Sequence, residues 1–273
     1  MNRLMLSHAP VPGDGHPVHA RRNIEVHNLW SRPRLIALIL LLVLSSTPAI
    51  ARTPPSSPRL RHAIARQRGP LRRQLVGRGF NWGTPIFIRI FKAERILEVW
   101  LKKPSGFERF RSFSICTYGG KGLGPKLRQG DGRAPEGFYF VTPDRMNPFS
   151  RFHLAFNLGY PNRYDRSHGR TGSALMVHGS CISIGCFAMT NPTMETIYTL
   201  ADAALRNGQP FFRVHIFPFR MNHSNMHHHR RSLWIGFWRN LKDGYDWFAE
   251  HRHTPPNVIL DNGRYCFETS NDI

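Results

Sequence analysis

The stretch LMVHGSCISIGCFAMTNPTMETIY, residues 175–198, decides the fold that this chain is predicted to adopt. Its apolar residues 175–177 predict a short buried strand that ends at His178. A tight polar loop, residues 179–186, follows. Pro192 suits the first turn of a helix, with Thr190 or Asn191 as its cap and Gly208 as its stop. The predicted order is strand, histidine, cysteine-containing loop and helix.

Two side chains of this stretch suggest catalysis. Cys186 lies between a histidine at a strand end and the start of a helix. A nearby imidazole accepts a thiol proton, and backbone N–H groups hold an oxyanion where Gly185 permits close approach. We therefore predict Cys186 as a nucleophile and His178 as its base. The alternative is structural, because cysteine is among the most buried residue types and a histidine beside a strand is commonly a core residue.

The composition predicts a folded, strongly basic protein. The chain has 273 residues, of which 41% are hydrophobic, enough for a packed core. Lys and Arg number 38 against 17 Asp and Glu, which gives a net charge of +21. This balance predicts an anionic partner, either nucleic acid, anionic lipid or a polyanionic wall polymer.

The N-terminal residues 1–51 favour the cell envelope among these partners. Residues 35–44, LIALILLLVL, follow Arg32 and Arg34 and precede an A-x-A pattern at residues 49–51, as in a secretory signal peptide. The apolar run is shorter than the roughly 20 residues of a membrane span. Export to the periplasm or envelope makes nucleic acid a poor candidate. A membrane partner is expected only if the segment stays uncleaved.

Four cysteines, at positions 116, 181, 186 and 266, have no pairing that the sequence can fix. Export permits disulfides. If Cys186 is a working thiol, the other three allow one bridge and one spare. Cys181 is close enough in the chain to bridge or resolve Cys186, and simple burial is the favoured expectation for it.

The remaining chain divides into three predicted parts. Residues 52–83 are rich in Arg and Pro and predict a solvated basic linker. Residues 84–219 predict a mainly β domain with one clear helix; its strands are expected at residues 86–91, 95–101, 109–116, 137–141, within 150–164, 175–177 and 211–219, and its helix at 192–207. The glycines of residues 118–132 fit no nucleotide-binding spacing.

Residues 220–273 predict a helical extension. Its His-rich start, residues 221–229, has no acid or cysteine at ligand spacing, so a solvated loop is preferred over a metal site. Residues 232–250 carry aromatic side chains at helical spacing, which predicts packing against the β domain; a ligand groove is the lesser alternative. Gly244 is expected to break or kink this helix.

Several motifs taken together resemble a known family. GRAPEGFY at residues 132–139, NLGYPN at 157–162, HGRTGS at 168–173 and VHGSCISIGCFAMT at 177–190 resemble the L,D-transpeptidase (YkuD-type) catalytic domain, and are most similar to the YafK-like murein L,D-transpeptidases. The resemblance implies a mainly β (α+β) fold, a YkuD-like β-sandwich or barrel over residues 84–219, with a helix after the catalytic cysteine and a C-terminal helical extension.

The resemblance also implies an activity. Members attack the carbonyl of diaminopimelate in a peptidoglycan stem peptide and form a thioester, which an amine resolves into a cross-link or water hydrolyses. By motif, Cys186 is the nucleophile, His178 the base, and Ser183 and Gly185 shape the oxyanion loop. No metal or organic cofactor is implied.

This chain departs from the common family pattern at two points. Ile184 stands where a second histidine usually precedes the Gly-Cys pair, and the separation from His178 to Cys186 is about half the usual one. His168 has the longer separation but lies in a polar loop. His178 is preferred because an apolar strand leads into it.

Substrate binding and outcome are less constrained. Arg163, Arg166 and Arg170, with His168, are candidates for holding substrate carboxylates, since a guanidinium binds a carboxylate bidentately. Surface solvation is the alternative for each. Cross-linking of stem peptides is expected; hydrolysis that releases a peptidoglycan-linked envelope lipoprotein and a non-catalytic cationic wall-binding module are alternatives. An ordinary cysteine protease is disfavoured by the short spacing in one loop.

Overall fold

A computed structural model describes residues 53–120, 122–251 and 257–268. The predicted signal segment lies outside these residues. The strands are β1 (Ile86–Phe91), β2 (Ile96–Lys103), β3 (Gly106–Ser114), β4 (Gly137–Val141), β5 (Met146–Asn147), β6 (Ala155–Asn157), β7 (Met176–His178), β8 (Phe187–Ala188), β9 (Phe212–Phe217), β10 (Asn257–Asp261) and β11 (Arg264–Glu268). The helices are α1 (Pro58–Val76), α2 (Arg163–Ser167), α3 (Asn191–Arg206), α4 (His223–His228) and α5 (Ile235–His251).

A five-stranded mixed sheet, in the order β3-β2-β1-β9-β4, forms the centre of the fold. The predicted hairpin is confirmed: β1 and β2 pair antiparallel, and β1 also pairs parallel with β9. Side chains of β9 alternate between two cores, as the two-residue period of a strand requires. Val214 and Ile216 enter the larger core with α3, whereas Phe217 enters a second core on the opposite face.

A smaller sheet, in the order β5-β6-β7-β8, shares the larger core. Phe156 of β6 packs edge-on against Phe212 of β9, with ring centroids 5.3 Å apart. Helix α3 follows β8 and is capped by Thr190, whose side chain accepts from the Thr193 N–H, as expected from the sequence. The mixed α+β fold with sheets and few helices is therefore confirmed, and the smaller sheet carries the residues of the candidate site.

The linker predicted at residues 52–83 is wrong over residues 58–76, which form helix α1. Leu60, Ala63, Leu71 and Leu75 are buried in the larger core. Burying each leucine contributes roughly 2 kcal/mol. Arg66 also pairs with Glu195 of α3 at 2.6 Å. The helix is therefore docked on α3 and belongs to the folded domain.

The C-terminal residues cover the second face of the central sheet. Trp238, Leu241 and Phe248 of α5 are buried, which confirms the prediction that this aromatic helix packs against the β domain. Gly244 does not break the helix. A Cβ placed on Gly244 would lie 2.4 Å from Phe267 and 2.6 Å from Phe138, so the glycine allows the hairpin β10-β11 and the sheet to approach α5.

The His-rich segment contains the short helix α4 rather than only a loop. Across residues 53–120, 122–251 and 257–268, no helix combines the length and apolarity needed to cross a membrane.

Candidate active site

His178 ends β7 and is almost fully buried, with 2% of its surface exposed. Its Nδ1 lies 2.5 Å from the Gly179 carbonyl oxygen. Because a carbonyl only accepts, Nδ1 carries the proton and donates, which leaves Nε2 as the basic nitrogen of the neutral ring. Phe152 packs on the ring at 4.8 Å. Burial lowers the pKa of His178 below its ordinary value, against the opposing effect of the Gly179 hydrogen bond.

Cys186 immediately precedes β8, which pairs parallel with β7. His178 is opposite Ala188, two positions after Cys186, so the strand period places the two side chains on one side of this strand pair. The thiol is partly buried, and its Sγ lies 3.7 Å from the Ala174 carbonyl oxygen. Burial raises the pKa of Cys186, while the Met176 N–H and the charge of Lys126 oppose that rise.

The structure corrects the expectation for Cys181. Rather than being simply buried, it is exposed and forms a disulfide with Cys116. Ser180 and Cys181 both have positive φ angles, 72° and 51°. Such angles are unfavourable for these residue types and persist where other contacts hold the chain. The Ser180 N–H donates to Asn191 Oδ1 at 2.8 Å, which adds a second hold on the loop.

Ser183 organises the turn before Cys186. Its hydroxyl donates to the Cys186 carbonyl oxygen at 2.7 Å and accepts from the Gly185 N–H at 3.0 Å. The Gly185 N–H is therefore already engaged. Gly185 instead permits close packing, since a Cβ there would lie 3.1 Å from the Arg133 carbonyl oxygen at a φ of +150°.

The glycine-rich loop between β3 and β4 forms a wall of the site that the sequence analysis missed. A Cβ on Gly119 would lie 3.1 Å from the Gly185 nitrogen, and one on Gly172 would lie 3.0 Å from Lys126 Cε. Ala174, two residues after Gly172, contacts the Cys186 thiol. Lys126 is thus a buried cation beside the cysteine loop.

Asp131 holds the loop between β3 and β4 in place. Its carboxylate accepts from Lys126 Nζ at 2.7 Å and from three backbone N–H groups, those of residues 127, 128 and 133. These donors lower the pKa of Asp131 to about 2 although burial opposes them. The spacing of Lys126, Asp131 and Arg133 among glycines was the available signal for this cluster.

A buried ion pair anchors the same loop to the core. Lys92 Nζ lies 2.9 Å from Glu136 Oε1, and both side chains are fully buried. Glu136 also accepts from the Gly124 N–H and from Trp238 Nε1, each at 2.8 Å. The loop, the end of β1 and α5 are thereby joined, and a buried charge with these partners is satisfied rather than isolated.

The four predicted substrate-binding residues lie at and beside α2. Arg170 is buried and pairs with Asp165 at 2.8 Å, an arrangement that favours a structural role. His168 stacks on Tyr164 at 4.1 Å, and Arg166 donates to the Pro161 carbonyl oxygen. Arg163 lines a cavity of about 250 Å³ between the sheet and hairpin β10-β11. Substrate binding by Arg163, Arg166, Arg170 and His168 stays a prediction.

The fold and the site define a catalytic domain with a cysteine nucleophile and a histidine base as its candidate pair. The L,D-transpeptidase catalytic domain family (YkuD) matches residues 85–216. The chain is 49% identical over 183 residues to the Escherichia coli K12 protein named "Putative L,D-transpeptidase YafK", an alignment covering 67% of this chain and 74% of the relative. The chain therefore belongs to the L,D-transpeptidase family.

Two solved structures are more distant. The Campylobacter jejuni helical cell shape determining protein Pgp2, as its K307A mutant, aligns with a TM-score of 0.42 and 22% identity, covering 61% of this chain and 55% of that one. Bdellovibrio bacteriovorus Bd1075 aligns with a TM-score of 0.35 and 17% identity, covering 66% of this chain and 78% of that one.

Proposed function

We propose that this protein is an exported enzyme that acts on peptidoglycan stem peptides through a thioester on Cys186, formed at the diaminopimelate residue. The observation that carries this proposal is the tautomer and placement of His178. The Nδ1 of His178 donates to the Gly179 carbonyl oxygen, so Nε2 is the basic nitrogen of the ring. His178 ends β7, and Cys186 immediately precedes β8, the strand that pairs with β7. A thiol with an oriented base is the requirement for nucleophilic cysteine catalysis.

The reaction proceeds in two transfers. Nε2 of His178 takes the thiol proton while Sγ of Cys186 attacks the amide carbonyl, which gives a tetrahedral oxyanion. The imidazolium returns the proton to the leaving amine, and the thioester remains. An amine acceptor then gives a cross-link, or water gives hydrolysis, and Cys186 regains its proton. These steps require no metal or organic cofactor.

Backbone N–H groups near Gly185 and Cys186 are proposed to stabilise the oxyanion. Such a donor contributes roughly 3–4 kcal/mol to catalysis. Because Ser183 Oγ engages the Gly185 N–H, the Cys186 N–H is the better candidate of the two. Ser183 then acts by fixing the turn, through its bond to the Cys186 carbonyl.

The resting site favours a neutral pair over a preformed ion pair. Burial lowers the pKa of His178 and raises the pKa of Cys186, so the imidazole and the thiol are both uncharged near neutral pH. Proton transfer therefore accompanies attack. Arg163 and Arg166 are proposed to hold substrate carboxylates. A periplasmic location follows from the substrate and from the secretory pattern at residues 32–51.

A second function, hydrolysis of the bond between peptidoglycan and an attached lipoprotein, is favoured by one observation. Ile182 and Ile184, on the loop that holds the nucleophile, are 63% and 91% exposed. Exposed apolar side chains mark surfaces that contact other proteins. A protein attached to the stem peptide offers apolar groups for this rim, whereas a glycan offers few.

Product analysis tests the proposal. Full-length protein is incubated with muropeptides, with and without an amine acceptor, and with muropeptides that carry a peptide on diaminopimelate. Mass spectrometry should show cross-linked or hydrolysed products for wild type and for Cys266→Ala, which removes the other free thiol, and none for Cys186→Ala. If wild type binds the wall polymer but gives no product, the protein is instead a non-catalytic wall-binding module. If it cleaves unrelated proteins, it is an ordinary cysteine protease.

A further inference from the structure

Helix α1 carries an arginine flank that the proposed chemistry does not use. The helix contains six arginines and no acidic residue. Arg61, Arg68 and Arg72 are exposed and follow one another at i, i+7 and i+11, so they lie along one side of the helix. Val76, four positions after Arg72, continues this side and is 73% exposed.

These arginines differ from the others of the region. Arg59 donates to the carbonyls of Ser150 and His153, and Arg66 pairs with Glu195, so both serve to dock the helix. In the part of the chain that the structure describes, Arg61, Arg68 and Arg72 have no acidic partner. Holding three like charges together without counter-ions is unfavourable, and an anionic partner relieves it.

An aromatic cleft borders the flank. Trp82 is half-buried, and the guanidinium carbons of Arg68 and Arg72 each lie 5.7 Å from the centroid of its ring. With Ile64 and Ala203 it lines a cavity of about 270 Å³ between α1 and α3. Asp202 of the same cavity is paired with Arg206 at 2.9 Å, so this acid does not cancel the flank.

We propose that Arg61, Arg68, Arg72 and the Trp82 cleft form a docking surface for an anionic phospholipid bilayer. Guanidinium groups bind phosphate bidentately, and tryptophan favours the boundary between headgroups and acyl chains. A basic helix side with an exposed apolar residue is typical of proteins that lie on a membrane surface.

A bilayer suits these residues better than a wall polymer does. Trp82 and Val76 gain contact with acyl chains, and a polymer of sugars and short peptides offers them little apolar surface. Docking would hold the catalytic domain at the membrane face of the envelope, independently of which acyl transfer it performs.

Vesicle binding of the full-length chain tests this proposal. Partition coefficients are measured by co-sedimentation for vesicles of phosphatidylcholine and for equal parts phosphatidylcholine and phosphatidylglycerol. The ratio of the two coefficients isolates the anionic contribution, because any insertion of the N-terminal apolar run contributes to both. The variant Arg61→Gln/Arg68→Gln/Arg72→Gln is compared with Arg230→Gln/Arg231→Gln/Arg239→Gln, which removes the same charge from exposed positions elsewhere.

The α1 variant should lower the ratio by on the order of a hundredfold, about fivefold for each arginine at the surface. The control variant should change it little, since charges away from the bilayer are screened beyond about 8 Å. Equal losses in both variants, or a wild-type ratio near one, would overturn the proposal. The proposal would also be overturned if the α1 variant bound purified peptidoglycan more weakly than wild type but bound vesicles equally well. If the triple variant unfolds at a lower temperature than wild type, the single variant Arg61→Gln replaces it and should lower the ratio of partition coefficients about fivefold.

Discussion

The disulfide between Cys116 and Cys181 ties the loop that carries the candidate nucleophile to the chain just after β3. Cys181 lies between His178 and Cys186, and the bridge spans a sequence separation of 65 residues. Together with the Asn191 contact to Ser180, it holds two residues at positive φ. The geometry of the site therefore depends on an oxidised pair that takes no part in the chemistry.

Removing this bridge should weaken both fold and site. Cys116→Ala/Cys181→Ala should lower the free energy of unfolding by about 2–5 kcal/mol, because the unfolded chain regains the freedom of a long loop. Alkylation of Cys186 should change in rate as the loop loosens. Thermal unfolding with and without dithiothreitol checks this. The reductant should lower the melting temperature of wild type and of Cys266→Ala and leave that of the double variant unchanged. An unchanged melting temperature for reduced wild type would show that the bridge does not stabilise the fold.

Lys126 should favour the thiolate of Cys186. The charge of Lys126 lowers the pKa of this thiol against the effect of burial, although Asp131 Oδ1 lies 2.7 Å from Lys126 Nζ. Lys126→Met should raise the pKa of the thiol further and slow its alkylation at neutral pH, because the thiolate is the reacting form. The measurement is the pH dependence of iodoacetamide modification. Lys126→Arg should restore the wild-type pH dependence of alkylation. Arg128→Gln, which removes an exposed charge from the same loop, should leave it unchanged. A shifted pH dependence in Arg128→Gln would count against a specific role of Lys126.

Gly119 should be required for the wall of the site. A Cβ there would lie 2.4 Å from the Gly132 carbonyl oxygen, at a φ of +94°. Gly119→Ala should cost about 1–3 kcal/mol from backbone strain alone and displace the loop from Gly185, with loss of activity. Gly120→Ala is the matched control, since among the described residues other than its chain neighbours no atom lies within 4 Å of its added Cβ. Equal stability and turnover of the two variants would show that the loop accommodates a Cβ at position 119 without loss of stability or activity.

His178, as the proposed base, should set the acid limb of the pH profile. The base must be unprotonated, and its pKa is lowered by burial, so kcat/KM should rise through a pKa below 6.5 and stay level through neutral pH. His178→Ala should reduce the rate by about 10²–10⁴. His168→Gln should leave the position of the acid limb unchanged, because His168 is engaged with Tyr164 at α2. An acid limb that moves in His168→Gln instead would reassign the base.

Local signals in the sequence were sufficient for much of the fold. Apolar runs bounded by turns gave β1, β4 and β9, and the cap at Thr190 with Pro192 gave the start of α3. His178 at a strand end was likewise evident from residues 175–177. In each case the residues of the element itself carry the signal, although β4 and β9 pair with strands that are distant in the sequence.

Features that depend on distant partners were not evident. Helix α1 was mistaken for a linker because its arginines and the Gly69-Pro70 pair obscure the spacing of Leu60, Leu71 and Leu75, whose burial is supplied by α3. The Cys116–Cys181 pairing and the Lys92–Glu136 ion pair join residues 65 and 44 positions apart. Only the folded topology brings these groups together.

A covalent acyl-enzyme on Cys186 is the essential intermediate of the proposed reaction, and intact mass spectrometry detects it directly. Full-length wild type, Cys186→Ala and Cys266→Ala are incubated with peptidoglycan fragments or a carbapenem, which acylates such a thiol. We expect a mass increase of one acyl group on wild type and on Cys266→Ala and none on Cys186→Ala. An adduct that persists in Cys186→Ala, or no adduct on a wild type that still binds the polymer, would contradict it.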